Sequence, residues 1–130
     1  MENITSALVY QSVSPSFNAE VSNQRLECCG GLFACDVMET IPAFFNQAAE
    51  GVLEGMFEIA EFERELLPQL RYTISVGDVI AITDDEGVTQ HWMVADSGFN
   101  RVACTEHYDA PKGDDPHAAP KAFIRVRKAA

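Results

Sequence analysis

The spacing of hydrophobic residues along the chain changes near Pro68. Between residues 37 and 70, apolar side chains recur with the period of an amphipathic helix, whereas after Pro68 they alternate with polar residues as they do in strands. Asp36 is a candidate cap for a short helix from Val37 to about Gln47. A longer helix is predicted from about Glu50 to Pro68. These helices form a helical insertion over residues 37–70.

Strands are predicted on both sides of this insertion. The apolar run from Ala7 to Tyr10 predicts a strand before it, and residues 72–104 predict a β-meander after it. The strands predicted in the meander are residues 72–76, 79–82, 90–95 and 99–104. The segment from residue 17 to Gly31 is predicted as a loop, because it is polar at first and ends in Cys28-Cys29-Gly30-Gly31. A short strand at residues 20–26 is the alternative.

Residues 108–120 hold three of the six prolines, which predicts an exposed loop. A final strand is predicted at residues 122–128, where Arg125, Arg127 and Lys128 indicate an exposed edge guarded by charge. Taken together, the pattern predicts a single α+β domain over residues 1–130. Its predicted core is a curved antiparallel β-sheet of four to six strands packed against one or two helices.

The net charge of the chain limits the classes of molecule that it is expected to bind. The chain has 130 residues, and its 20 acidic and 9 basic side chains give a formal net charge of -11. This acidity argues against direct binding to nucleic acid or to an anionic membrane, because both repel a polyanion. A protein partner with a basic surface is predicted instead. Neither a membrane helix nor a leader segment is recognised, so a cytoplasmic protein is expected.

Five glutamates of the predicted long helix share one face. They are Glu50, Glu54, Glu58, Glu61 and Glu65, and together we call them the acidic stripe. At 100° per residue they fall within an arc of about 80°, over a length of roughly 22 Å. Like charges at i, i+4 repel by a few tenths of a kcal/mol per pair, so selection for stability alone would intersperse lysine. The acidic stripe is therefore the predicted partner-binding surface, with an ordinary solvated helix face as the alternative.

The cysteine and histidine side chains are weaker candidates for functional residues, whether catalytic or metal-binding. The four cysteines are predicted to be reduced, and no catalytic residue, metal site or cofactor is predicted. Zinc ligands could come from the cysteines and one histidine, but the Cys-x2-Cys spacing typical of zinc sites is absent. The cysteines are Cys28, Cys29, Cys35 and Cys104, and the histidine is His107.

An enzyme remains an alternative. Its nucleophile would be Cys28 or Cys35, and its base would be His91 or His107. No motif in the sequence pairs a particular cysteine with a particular histidine.

Two short segments of the predicted meander, residues 75–80 and 92–99, carry a family resemblance. The sequences Ser75-Val76-Gly77-Asp78-Val79-Ile80 and Trp92-Met93-Val94-Ala95-Asp96-Ser97-Gly98-Phe99 are similar to the paired strand motifs of the YodL-like domain. Upstream, Asp36-Val37-Met38-Glu39 with Phe45-Asn46 is similar to a short helix of that family. The acidic helix intervenes here where family members have a short loop. The resemblance implies a binding module carried by plasmids or phages, often within proteins thought to counter host defence.

The leading hypothesis is a phage- or plasmid-encoded counter-defence inhibitor of the anti-CRISPR or anti-restriction type. By nucleic-acid mimicry, its acidic stripe would bind stoichiometrically to a basic, nucleic-acid-binding groove of a host defence complex. The alternatives are a small cysteine-dependent hydrolase or transferase, and an accessory phage protein without inhibitory activity. A homodimer through the apolar helix face is compatible with each.

Overall fold

Antiparallel strands close into a barrel in the computed structural model, which describes residues 1–13, 24–109 and 121–127. Within these residues the strands are β1 (Ile4–Gln11), β2 (Arg25–Phe33), β3 (Val79–Asp84), β4 (Thr89–Val94), β5 (Phe99–Asp109) and β6 (Lys121–Arg127). They pair in the circular order β1-β2-β6-β5-β4-β3, and each neighbouring pair is antiparallel. The barrel therefore combines a β1–β2 hairpin with a β3–β6 meander.

Side chains of successive strand residues alternate between the inside and the outside of the barrel. On β3, Val79 and Ala81 belong to one apolar cluster, whereas Ile80 and Ile82 belong to another. The first cluster receives residues from all six described strands, so it is the interior of the barrel. Its members are Leu8, Tyr10, Leu26, Cys28, Val79, Ala81, Met93, Val102, Cys104, Ile124 and Val126.

The second cluster lies between the outside of the barrel and the helical segment. The main helix, α2 (Ala49–Phe62), buries Val52, Met56 and Ile59 in the same cluster as Val9 of β1 and Ile80 of β3. These strands are apolar on both sides, which is why they need a helix on their outer surface. No helix in the described part of the chain is long and apolar enough to cross a membrane.

A glycine in the middle of α2 allows an aromatic ring to approach. A Cβ atom on Gly55 would lie 2.6 Å from Cε2 of Phe44, which is closer than van der Waals contact permits. Phe44 belongs to a 3₁₀ helix, Phe44–Asn46, and packs edge-to-face on Phe45 with ring centroids 4.8 Å apart. The low helix propensity of glycine is thus offset by packing of this aromatic pair.

The predicted curved sheet on helices is wrong, because the strands close into a barrel. Closure depends on β2, which occupies the segment from Arg25 to Gly31 that is predicted as a loop. β2 pairs with β1 on one side and with β6 on the other, where Leu26 lies opposite Ile124. For the same reason, the exposed edge strand predicted around Arg125 is wrong, since β6 is paired on both sides. Lys128 and residues 14–23 lie outside the described residues.

The predicted helix boundaries also need correction. Instead of a helix from Val37 to Gln47, the chain forms a one-turn helix, α1 (Ala34–Val37), and the 3₁₀ helix Phe44–Asn46. Asp36 lies inside α1, and Phe33 occupies the N-cap position without a side-chain hydrogen bond. The long helix ends at Phe62, well before Pro68. Proline at position 42 has no N–H to donate, which limits a continuous helix across this segment.

In the C-terminal half, β3, β4 and β5 overlap three strands of the predicted meander, while residues 72–76 do not form a strand. β5 continues to Asp109, so Tyr108 and Asp109 belong to a strand rather than to the predicted loop over residues 108–120. Residues 110–120 of that loop lie outside the described part of the chain. β6 occupies most of the predicted final strand.

The segment before β3 is held by a buried carboxylate. Asp78 is 2% exposed, and its Oδ2 accepts hydrogen bonds from the backbone N–H of Ser75 at 2.9 Å and from Nε2 of Gln11 at 3.1 Å. Its Oδ1 accepts a hydrogen bond from the hydroxyl of Tyr72 at 3.3 Å. Gln11 in turn accepts from the N–H of Arg71 at 3.0 Å. This network ties residues 71–78 to the end of β1, in place of the predicted strand.

We expect Gly31→Ala to destabilise the barrel, because Gly31 marks the closest approach of β2 to β1. A Cβ atom there would lie 2.2 Å from the carbonyl oxygen of Ala7 and 2.7 Å from Cα of Leu8. Both atoms belong to the backbone and cannot rotate away, so the free energy of unfolding should fall by about 2 kcal/mol or more. Urea denaturation followed by circular dichroism measures this loss.

Gly87→Ala is the matched control for this substitution. Gly87 has φ of +82° and open space around its Cα, so alanine there should cost only about 1 kcal/mol of backbone strain. A midpoint of Gly31→Ala equal to that of the parent protein would contradict the close approach.

Burial raises the pKa of Asp78 to about 6, although the hydrogen bonds from Ser75, Gln11 and Tyr72 oppose the shift. The folded state therefore keeps a proton on Asp78 between about pH 4 and pH 6, where the unfolded chain has lost it. Folding stability should then fall as pH rises through this window, by about 3 kcal/mol in total, and level off above it.

Asp78→Asn should remove this component, because an amide keeps the size of the side chain and does not ionise. Urea unfolding of both proteins at pH 4, 5, 6 and 7 tests this, with the difference in their unfolding free energies as the readout. A difference that stays constant from pH 4 to pH 7 would contradict the shifted pKa.

Candidate functional site

The acidic stripe lies on the solvent side of α2. Glu50, Glu54, Glu58 and Glu61 are exposed there, while the opposite side of the helix packs on the barrel. The amphipathic period of the helix therefore turns the carboxylates outward. The apolar side of the helix is buried within the same chain, in one cluster with Val9 and Ile80.

Glu65 does not continue the stripe in the predicted way. α2 ends at Phe62, and the backbone leaves helical geometry at Glu63, with φ of -131° and ψ of 48°. Glu65 is exposed in a separate 3₁₀ helix, Arg64–Leu66. The regular part of the stripe, from Glu50 to Glu61, is therefore roughly 16 Å long rather than 22 Å.

None of the five glutamates forms an ion pair within the described part of the chain. The nearest arginine in sequence, Arg64, instead donates a hydrogen bond to the carbonyl oxygen of Leu70 at 2.6 Å. The stripe is likewise not covered by Arg125 and Arg127, which lie on β6 on the other side of the barrel. In the described part of the chain, its negative charge is thus directed to solvent without an ion-pair partner.

The arginines of β2 and β6 gather around an aromatic side chain on the opposite side of the barrel. The guanidinium of Arg25 lies 3.8 Å from the ring centroid of Phe123, and that of Arg125 lies 5.9 Å from it. The imidazole of His107 stacks on the same ring at 5.0 Å. Arg71 and Arg25 also pair with Glu27. The arginines of β2 and β6 therefore form a basic cluster around Phe123, separate from the acidic stripe.

Several titratable groups lie in or at the end of the barrel interior. Nε2 of His91 is buried without a hydrogen bond in the described residues and lies 3.8 Å from Oε1 of Glu106. Burial lowers the pKa of His91, and the carboxylate of Glu106 partly opposes this. Burial also raises the pKa of Cys104 to about 11, with a further contribution from Glu106. At neutral pH these groups are a neutral imidazole and a protonated thiol.

The four cysteines occupy different environments in the described structure. All four are free thiols, and no hydrogen bond joins a thiol to an imidazole in the described residues. Cys35 is exposed beside Asp36, whereas Cys28 belongs to the barrel interior. No group of three or more His, Cys, Asp or Glu side chains suited to a metal ion occurs among residues 1–13, 24–109 and 121–127. The enzyme alternative therefore rests on sequence alone.

A cavity beside the first turns of α2 was not foreseen from the sequence. It has a volume of about 380 Å³ and lies between the helix and the β4–β5 hairpin. Leu53, Trp92 and Phe99 supply apolar walls, and Glu50 and Glu54 of the acidic stripe also line it. Trp92 and Phe99 belong to the segment 92–99, which carries the family resemblance. That resemblance is the sequence signal that could have pointed to this cavity. The sequence instead suggests that Trp92 is an ordinary core aromatic.

Comparisons of the chain with models of known protein families, with curated proteins and with solved structures give no match. The resemblance to the YodL-like domain over residues 75–99 therefore stays a prediction from sequence.

We expect the four thiols to differ in their reaction with the disulfide reagent DTNB at neutral pH. Cys35 is exposed and should react fast, whereas burial raises the pKa of Cys29 and Cys104 and keeps them protonated. The fast phase should disappear in Cys35→Ser and should remain in Cys104→Ser. Reaction of Cys104 at the rate of Cys35 in the folded protein would contradict the raised pKa of the half-buried Cys104 thiol.

Proposed function

We propose that the protein is a stoichiometric binding protein whose acidic stripe occupies a basic, nucleic-acid-binding groove of a partner protein. The observation that carries this proposal is the exposure of all five stripe glutamates without an ion pair in the described chain. Repulsion along the helix costs stability, and a basic partner surface would relieve it.

The rigid support of the stripe favours binding over mere solubility. α2 is anchored by buried residues such as Val52 and Met56, both 0% exposed, so the backbone that carries the glutamates is held in place on the barrel. The Cβ atoms of residues at i and i+4 on a helix are about 6 Å apart, so the stripe presents a row of closely spaced negative charges, as a nucleic-acid strand does. A groove that binds a phosphate backbone could therefore accept this helix face.

The position of the basic cluster around Phe123 also favours an oriented complex. The basic side chains of β2 and β6 lie across the barrel from α2. The partner's positive groove would attract the side that bears α2 and repel the side that bears Arg25 and Arg125. Electrostatic complementarity of this kind mainly increases the rate of association.

The partner we propose is a host defence complex of the CRISPR or restriction type, met in the bacterial cytoplasm. This part of the proposal depends on the sequence resemblance and on the chemistry of such complexes, which hold DNA or RNA in basic grooves. In this setting the protein would act as a nucleic-acid mimic without turnover.

Replacing all five stripe glutamates by glutamine should abolish most of the partner binding and leave folding intact. Glutamine matches glutamate in size and helix propensity, so only charge is removed, and the net charge changes from -11 to -6. A control with the same net charge carries glutamine or asparagine at five exposed acidic positions outside the stripe: Glu2, Glu39, Glu63, Asp85 and Glu86.

In the assay, the parent protein, the stripe variant and the control variant are immobilised, and the affinity of purified restriction and CRISPR effector complexes for each is measured at two salt concentrations. We expect parent and control to bind one effector class alike, the stripe variant to lose at least about tenfold in affinity, and DNA to compete. Binding of the parent should weaken as salt rises. Full-strength binding by the stripe variant, or equal losses in both variants, would refute the stripe as the binding face.

A further inference from the structure

We propose that the cavity between α2 and the β4–β5 hairpin receives an arginine side chain of the partner protein. This inference rests on the proposed function, because it assigns a particular contact to the same acidic surface. It differs in that it predicts a local anchor at one end of the stripe rather than uniform attraction along it.

The cavity is large enough for a side chain, and part of its wall is apolar. Its volume of about 380 Å³ exceeds that of one amino-acid side chain, and its residues come from α2, the chain start and the β4–β5 hairpin. Leu53 is 2% exposed and forms part of the buried core beneath it, while Trp92 and Phe99 are half-buried at its side. These walls suit an apolar stem or a flat group.

The lining of the cavity also carries negative charge. Glu50 and Glu54 both line it and are both exposed, and they lie one helical turn apart on α2. Neither carboxylate has an ion-pair partner in the described residues. An apolar cavity edged by two carboxylates complements a side chain with an apolar stem and a cationic head.

An arginine side chain suits this cavity better than a lysine side chain. A guanidinium group is planar, binds carboxylates through two parallel hydrogen bonds and stacks on aromatic rings, whereas an ammonium group does neither so well. The protein itself provides an example, because the guanidinium of Arg101 lies 5.7 Å from the ring centroid of Trp92. Arginine is also enriched among the residues that contribute most to protein interfaces.

The experiment uses the single tryptophan of the chain as a local probe. Trp92 is the only tryptophan, so a change in its fluorescence on binding reports this cavity. The probes are three synthetic peptides of six arginines, six lysines or six citrullines, with affinity measured by calorimetry. We expect the arginine peptide to change Trp92 emission saturably and to bind at least about threefold more tightly than the lysine peptide. The neutral citrulline peptide should not bind.

Two double variants provide the matched comparison. Glu50→Gln with Glu54→Gln removes the cavity carboxylates, whereas Glu58→Gln with Glu61→Gln removes the same charge from the rest of the same helix. We expect the first pair to lose at least about fivefold in affinity for the arginine peptide together with the fluorescence change. The second pair should lose about twofold or less and keep the fluorescence change.

The outcomes separate this inference from the proposed function. Equal losses in both double variants would overturn the cavity as an anchor while leaving a uniformly acidic binding face. Undiminished binding by both variants would count against the stripe as a whole and so against both proposals. Equal affinity for arginine and lysine peptides would overturn the choice of arginine. A different outcome is that Trp92 emission changes without any peptide, in step with dimer formation measured by sedimentation. That result would overturn the proposal, because the cavity would then bind a second copy of the chain.

Discussion

Pairing of β2 with both β1 and β6 is the constraint on which the rest of the architecture depends. It joins residues 25–33 to residues 121–127, which are distant in sequence, and thereby closes the barrel. Closure encloses one apolar cluster and leaves β1 and β3 apolar on the outside as well. The helical segment between β2 and β3 covers that outer surface, and this packing fixes the direction in which α2 presents its glutamates.

Closure also affects the distribution of charge. The basic residues of β2 and β6 become neighbours around Phe123, where Arg25 and Arg125 are held close to the ring. α2 packs on β1 and β3, and none of its stripe glutamates has an ion-pair partner among the described residues. The same long-range pairing that stabilises the barrel therefore leaves the acidic stripe available to another molecule.

The two motif segments of the meander have different physical roles. Asp78 of the first segment is a buried acceptor that anchors residues 71–78 to Gln11 at the end of β1. Trp92 and Phe99 of the second segment lie beside α2 and form the wall of a cavity next to Glu50 and Glu54. One motif therefore holds the fold together, and the other shapes the surface to which we assign partner recognition.

The sequence by itself determined the features that depend on local periodicity. The alternation of apolar residues located β1 and most of the β3–β6 meander, and the helical period placed Glu50 to Glu61 on an exposed face, because a repeat of 2 or 3.6 residues reports directly which side of an element is buried. Only the tertiary structure decided that β2 is a strand, since Gly30 and Gly31 give a loop signal locally while Gly31 is required by the approach of the β1 backbone. The end of α2 at Phe62 and the cavity at Trp92 were also decided there. The cavity joins segments far apart in sequence, and such contacts leave no periodic pattern in either segment.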